Sequence, residues 1–185
     1  MASRARKISC IAVSGSACSG KTTLATQLAI DLGWRHTNVG QIFRDLARDS
    51  GLPVERFGSL DDASLRRVDA EVQSRMKTSS HCVWEGRLTA WLAGALPQVM
   101  SVYCFADDST RAYRCARRER IPVEDARRQI SKRDEEEQLV FKRLYNISDI
   151  RKEAHFDLVI DTSTSEPREL LKQIEGHLKK YFEVV

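Results

Sequence analysis

Short apolar runs alternate along this chain with longer segments in which apolar residues recur every third or fourth position. "ISCIAV" (8–13), "HCVWE" (81–85), "VMSVYCF" (99–105) and "FDLVID" (156–161) have the length of buried strands, and "RHTNV" (35–39) is a weaker fifth. Helical patterns fill the intervals at 21–32, 40–49, 60–76, 110–119, 123–133 and 167–181. In the first of these, Leu24, Leu28 and Leu32 recur at a four-residue spacing, which lines one face of a helix. Strands that alternate with helices predict an α/β fold, a doubly wound parallel sheet of five strands with helices on both faces. Ligands of such sheets bind beyond the carboxyl ends of the strands.

Composition changes this picture little. The 185 residues fit one domain with a single core. The net charge of +4 is mild, and the arginines are clustered, so the excess is read as serving anionic ligands locally, with no stable nucleic-acid partner expected. Five cysteines are an odd number without a Cys-x-x-Cys pair. Three of them (Cys10, Cys82, Cys104) sit in the strand-like runs, which points to reduced core thiols, not to disulfides or zinc. The basic "MASRARK" is followed by no apolar stretch of signal-peptide length, and no run approaches the length of a membrane span. A cytoplasmic monomer without a membrane partner is expected.

Chemistry enters with "VSGSACSGKTT" (13–23). Gly15, Gly20, Lys21 and Thr22 satisfy G-x-x-x-x-G-K-[ST] directly after an apolar strand and at the opening of a helix. Small residues let successive backbone N–H groups wrap a phosphate chain, and the helix N-terminus adds partial positive charge. Gly15, Ser16, Ala17, Cys18, Ser19, Gly20, Lys21, Thr22 and Thr23 are therefore the expected ATP-phosphate loop. Lys21 reaches the outer phosphates, and the Thr22 hydroxyl completes the shell of a Mg2+ ion.

The loop alone does not define a reaction. A GTPase should also carry Asp-x-x-Gly and Asn-Lys-x-Asp, and neither is present. Three further segments narrow the choice. Arg44 and Arg48 lie on one face of a helix that follows the second strand. Glu85, Gly86 and Arg87 stand at the carboxyl end of a strand, beside the phosphate loop. Between Arg111 and Arg133 nine basic residues face three acidic ones, which suits a helical lid that closes over a triphosphate and excludes water. The alternative for that segment is a solvated helical pair balanced by "DEEE" (134–137), through contacts such as Lys132 with Glu136.

The set "GQIFR", "LARDSGLPVERFG", "VWEGRLTAWLA" and "FDLVIDTS", in this order behind the phosphate loop, resembles the cytidylate kinases, above all their short archaeal form. The resemblance runs from Ile8 to about Ile174. It implies a P-loop fold with a short helical lid, and transfer of the terminal phosphate of ATP to CMP or dCMP with Mg2+. Carried onto this chain, it makes Arg44, Arg87 and either Arg66 or its neighbour Arg67 acceptor-binding residues, and leaves Asp69 only the task of holding an arginine; Glu85, from its place at the strand end, is expected to join them at the acceptor. The lid then supplies Arg114 to ATP and Arg118 and Arg133, with Lys21, to catalysis. The resemblance also divides the chain into a core (about 7–38, 80–106 and 155–185), acceptor-binding helices (39–79) and a lid (114–137).

Two departures stand out. Leu139, Val140 and Phe141 replace a basic and aromatic cluster, and Ala17 and Cys18 replace Pro-Gly in the loop. Cys18 is then either a small hydrophobe or a reactive thiol beside Lys21 and a helix N-terminus. The alternatives are another nucleoside monophosphate kinase, acting on AMP or UMP, or a P-loop ATPase used as a regulatory switch. The absence of Asp-Gly-Phe-Pro-Arg at "EGRL" argues against an adenylate kinase. The absence of an acidic pair at "HTNV" argues against a shikimate-type kinase.

Overall fold

A computed structural model describes residues 6–42, 61–153 and 156–185. The strands are β1 (Arg6–Ile8), β2 (Cys10–Gly15), β3 (Arg35–Asn38), β4 (Cys82–Glu85), β5 (Val99–Phe105), β6 (Leu158–Asp161) and β7 (Phe182–Val184). The helices are α1 (Lys21–Leu32), α2 (Asp62–Thr78), α3 (Thr89–Leu92), α4 (Asp108–Glu119), α5 (Val123–Tyr145), α6 (Ile150–Glu153) and α7 (Pro167–Tyr181). Residues 39–42 are also helical, so Val39 opens a helix and does not end a strand.

The five expected strands form one parallel sheet in the order β3-β4-β2-β5-β6. β2 is central, and side chains alternate across the pleat. Ile11 and Val13 therefore join one core with Leu24, Leu28, Met100 and Ile174, on the side of α1 and α7. Cys10 and Ala12 join the opposite core with Leu65, Val72, Met76 and Trp84, on the side of α2 and α5. With both faces covered, every residue of β2 is buried. That is why its sequence reads as one continuous apolar run.

Two features lay outside the sequence expectation. β1 and β7 pair in parallel as a separate two-stranded sheet. Arg6 is fixed there by Asp157 at 2.7 Å, the Val99 carbonyl at 2.8 Å and the Phe182 ring at 4.8 Å. α5 runs on to Tyr145, far beyond the expected end at residue 133. Its middle, "SKRDEEEQ", carries no apolar stripe, but these are good helix formers and they pair at i,i+4, as Ser131 does with Glu135. The helix stops at Asn146 in the left-handed conformation. The departure at 139–141 finds its reason here. Val140, Phe141 and Leu144 are buried in the core beside the sheet, so α5 is anchored at its far end, while Leu139 is exposed.

All five cysteines are free, and every one except the half-buried Cys18 is buried. Among the described residues no helix is long and apolar enough to cross a membrane.

Candidate functional site

The turn from β2 into α1 is shaped by contacts that allow few side chains. A Cβ on Gly15 would lie 2.3 Å from the Cys104 carbonyl and 2.6 Å from Ser19 Oγ, so only glycine fits. Gly20 caps α1 at φ 84°. Cys18 takes φ 61°, where a non-glycine residue costs on the order of 1 kcal/mol. The loop is braced from outside. Arg111, buried on α4, donates through Nε to the Ala17 carbonyl at 2.9 Å, and the Thr162 hydroxyl donates to the Ser19 carbonyl at 2.6 Å. Ser19 Oγ is buried and has no hydrogen-bond partner among the described residues.

Lys21 heads α1, and its Nζ donates to the Ser16 carbonyl at 3.1 Å. Burial pushes this ammonium down to about 8, an effect that Glu85 opposes and Arg87 reinforces. A phosphate chain in the loop would restore the charge. Next to Lys21, the Thr22 hydroxyl donates to Glu85 Oε1 at 2.9 Å. Asn38 donates to the other oxygen at 2.6 Å, and His36 Nε2 stands 3.6 Å away. Glu85 is buried at the carboxyl end of β4, so β4 and β3 together fix a carboxylate against the first turn of α1. A hydroxyl and a carboxylate beside a phosphate loop fit Mg2+, which takes few protein oxygens and completes its shell from water and phosphate. No cluster of three or more His, Cys, Asp or Glu suited to a metal occurs among the described residues.

Two cavities flank this centre. One, of about 480 Å3, lies between α2, the end of β4 and α5, and is lined by Asn38, Asp69, Glu85, Arg87, Arg133 and Tyr145 among others. The second, of about 460 Å3, lies between the loop, α4 and the start of α7, and is lined by Cys18, Arg114, Arg118, Thr162 and Pro167. Lys21 and Thr22 line both. A group held at these two residues is therefore open to one ligand on each side.

The side chains expected from the sequence are distributed as follows. Residues 15–23 form the turn that leaves β2 and the first turn of α1. Arg114 donates to both the hydroxyl and the carbonyl of Thr162 on the wall of the second cavity. Arg118 lines the same cavity and pairs with Glu119 at 2.8 Å. Arg133 lines the first cavity instead, so Arg118 and Arg133, expected to act as a pair, lie on different sides of Lys21. Arg87 lines the first cavity in an ion pair with buried Glu137. Burial, and after it the neighbouring Arg133, lower Arg87 to about 10, which leaves it cationic at neutral pH. Arg44 lies outside the described residues. Arg66 and Arg67 are exposed, and Arg66 sits over the Tyr145 ring at 5.6 Å. Asp69 accepts the Tyr145 hydroxyl at 2.5 Å, and among the described residues no arginine pairs with it.

Sequence reasoning did not single out Arg111, Glu137, Tyr145 or Thr162. Arg111 and Thr162 stood inside quoted segments, but their partners, the carbonyls of Ala17 and Ser19, are backbone groups that carry no sequence signal. Much of the basic segment is paired locally: Arg127 with Glu124, Arg128 with Asp125, and Lys132 with Glu136 at 4.0 Å.

Known proteins resemble this chain over most of its length. The cytidylate kinase of Natronomonas pharaonis is 36% identical over 174 residues, covering 92% of this chain and 90% of that one. The cytidylate kinase of Pyrococcus abyssi is 34% identical over 178 residues, covering 95% and 96%. Among solved structures, the shikimate kinase of Acinetobacter baumannii, in complex with shikimate, superposes with a TM-score of 0.60 at 17% identity over 94% of each chain, which shows a shared fold. The model of the cytidylate kinase-like family matches residues 10–164. With that match spanning most of the sequence, the chain belongs to the cytidylate kinase-like family.

Proposed function

We propose that this protein transfers the terminal phosphate of ATP to CMP or dCMP, giving ADP and CDP or dCDP. One observation carries the proposal: two cavities of similar size share Lys21 and Thr22 as a common wall. An ATPase switch needs only the cavity on the side of Arg114. A phosphotransferase needs both, because the acceptor must approach the transferred group in line with the leaving oxygen.

In this reading ATP lies along the loop with its phosphates on the backbone N–H groups and Lys21. The nucleoside monophosphate occupies the cavity of Arg87 and Arg133, and Arg44 adds to the grip on its phosphate. The acceptor oxygen is already anionic, so no strong general base is required, and catalysis is positioning plus neutralisation of charge. Mg2+ would be held by the Thr22 hydroxyl and, through water, by Glu85, and would neutralise charge on the transferring phosphate. Closure of α4 and the first half of α5 would bring Arg118 toward the donor and Arg133 toward the acceptor, and would keep water out. The reading includes a cytoplasmic monomer that works on free nucleotides without a nucleic-acid or membrane partner.

The test is initial ADP release from Mg-ATP with CMP, dCMP, UMP, AMP and GMP offered separately, beside a control with no acceptor. CMP or dCMP should stimulate release most strongly. Stimulation by AMP alone, or release that ignores every acceptor, would overturn the assignment.

A further inference from the structure

The acceptor cavity has two chemically different ends. At one, Lys21, Thr22, Arg87 and Arg133 gather cationic and hydroxyl groups suited to a phosphate. α5 sets the distance to the other. From Glu137, which holds Arg87, to Tyr145 is eight residues, about 12 Å of helix axis. That is the scale of a mononucleotide from its phosphate to its base.

At this second end Leu65, Val68, Leu92 and Leu144 make the wall apolar, as a flat pyrimidine ring requires. The polar side chains they surround are Asp69, on α2, and Tyr145. The pair is built rigidly. Tyr145 donates to Asp69 Oδ2 at 2.5 Å, and its ring is flanked by Trp91, with centroids 4.7 Å apart, and by the Arg66 guanidinium. One hydroxyl does not saturate a carboxylate, which has lone pairs for several donors.

We propose that Asp69, positioned by Tyr145, reads the acceptor base by accepting a hydrogen bond from the exocyclic amine of cytosine. The inference rests on the CMP kinase reading and adds the group that selects the base. On the edge where cytosine and uracil differ, cytosine presents an N4 amine that donates, and carboxylates accept from it; uracil presents the O4 oxygen, an acceptor. A carboxylate facing O4 sets lone pairs against lone pairs and leaves a polar group without its bond, so the same contact that favours cytosine rejects uracil. Tyr145 acts through Asp69 and is a positioning residue.

The experiment compares kcat/KM for three acceptors: CMP, UMP, and the CMP analogue whose base is pyrimidin-2-one, which lacks only the amine. Wild-type protein should prefer CMP over either by at least about tenfold, the discrimination of one good base-edge contact. Asp69→Asn is near-isosteric and still accepts the Tyr145 hydroxyl. It should cut the CMP-to-UMP preference by about tenfold or more while the KM for ATP stays unchanged. Tyr145→Phe should lower kcat/KM for CMP and keep its order above UMP. Retention of the full wild-type preference in Asp69→Asn overturns the inference and leaves the kinase reading standing. If that variant does not fold, equal wild-type rates with CMP and the analogue overturn it alone. Wild-type protein that phosphorylates none of the three contradicts the kinase reading itself.

Discussion

Replacing Glu85 by glutamine separates two roles that the sequence could not distinguish. From its strand-end position Glu85 was expected to touch the acceptor, whereas its oxygens take the Thr22 hydroxyl at 2.9 Å and the Asn38 amide at 2.6 Å, with only 3% of the residue exposed. Each such bond to a charged acceptor contributes about 1.5–3 kcal/mol. In Glu85→Gln the remaining oxygen still accepts from Asn38 and the amide N–H2 donates to the Thr22 hydroxyl, so both bonds persist as neutral ones. Each is weaker by about 1 kcal/mol than the bond to the carboxylate, about 2 kcal/mol of stability in all. For a chain of this size that lowers Tm by about 4–8 °C, a loss that leaves the protein folded for assay at room temperature. If Glu85 serves the metal beside Thr22, kcat should fall about a hundredfold, as for loss of one strong electrostatic stabiliser. High Mg2+ should restore part of that loss, and the KM for CMP should change less than about threefold. Steady-state kinetics with CMP and Mg2+ varied independently decides the matter. A tenfold rise in the KM for CMP, with kcat and the Mg2+ requirement unchanged, would refute the reasoning and return Glu85 to the acceptor.

Further outcomes follow from the same contacts. Lys21→Ala should reduce turnover by about a hundredfold or more, through lost stabilisation of the transferring phosphate. Burial holds Lys21 near 8 when folded against 10.5 for the free side chain, so between those values the unfolded chain binds more protons. Stability should therefore rise with pH across that window relative to Lys21→Met, as melting curves of the two proteins would show. Arg87→Ala should raise the KM for CMP and leave that for ATP nearly unchanged; equal damage to both would place Arg87 on the wrong side of the reaction. Arg111→Met removes a charged donor from the Ala17 carbonyl and a partner from Asp134 at 2.6 Å. It should cost about 3 kcal/mol, a Tm drop of about 6–12 °C, together with weaker ATP binding. Alkylation of Cys18, on the wall of the donor cavity, should block ATP binding, and full activity after confirmed alkylation would place the thiol out of the way.

What was legible in the sequence had local causes. The order of strands and helices follows from apolar periodicity, and the phosphate loop from spacing and small residues. The length of α5 was missed because "SKRDEEEQ" offers propensity and charge pairing but no apolar stripe, while Val140, Phe141 and Leu144 resume the stripe beyond it. Pairing of β1 with β7 joins residues far apart in sequence, and three-residue strands carry too little pattern to be seen. In the site, Lys21 and Thr22 were readable from the motif. The Asp69–Tyr145 pair was not, since α2 and α5 meet only after the sheet has set them in place. Arg66, named for its place in "LRRVD", turns outward over Tyr145, whereas Asp69, one turn on, lines the cavity.

The central claim is that a phosphate passes across Lys21 and Thr22 from one cavity to the other. ATP labelled at its γ-phosphate, incubated with CMP, Mg2+ and the protein, tests it most directly when the products are separated and the label is followed. The label should appear in the β-phosphate of CDP, in step with ADP formed, and should appear about a hundredfold or more slowly in Lys21→Ala. Label recovered as inorganic phosphate, at a rate indifferent to CMP, would contradict the account.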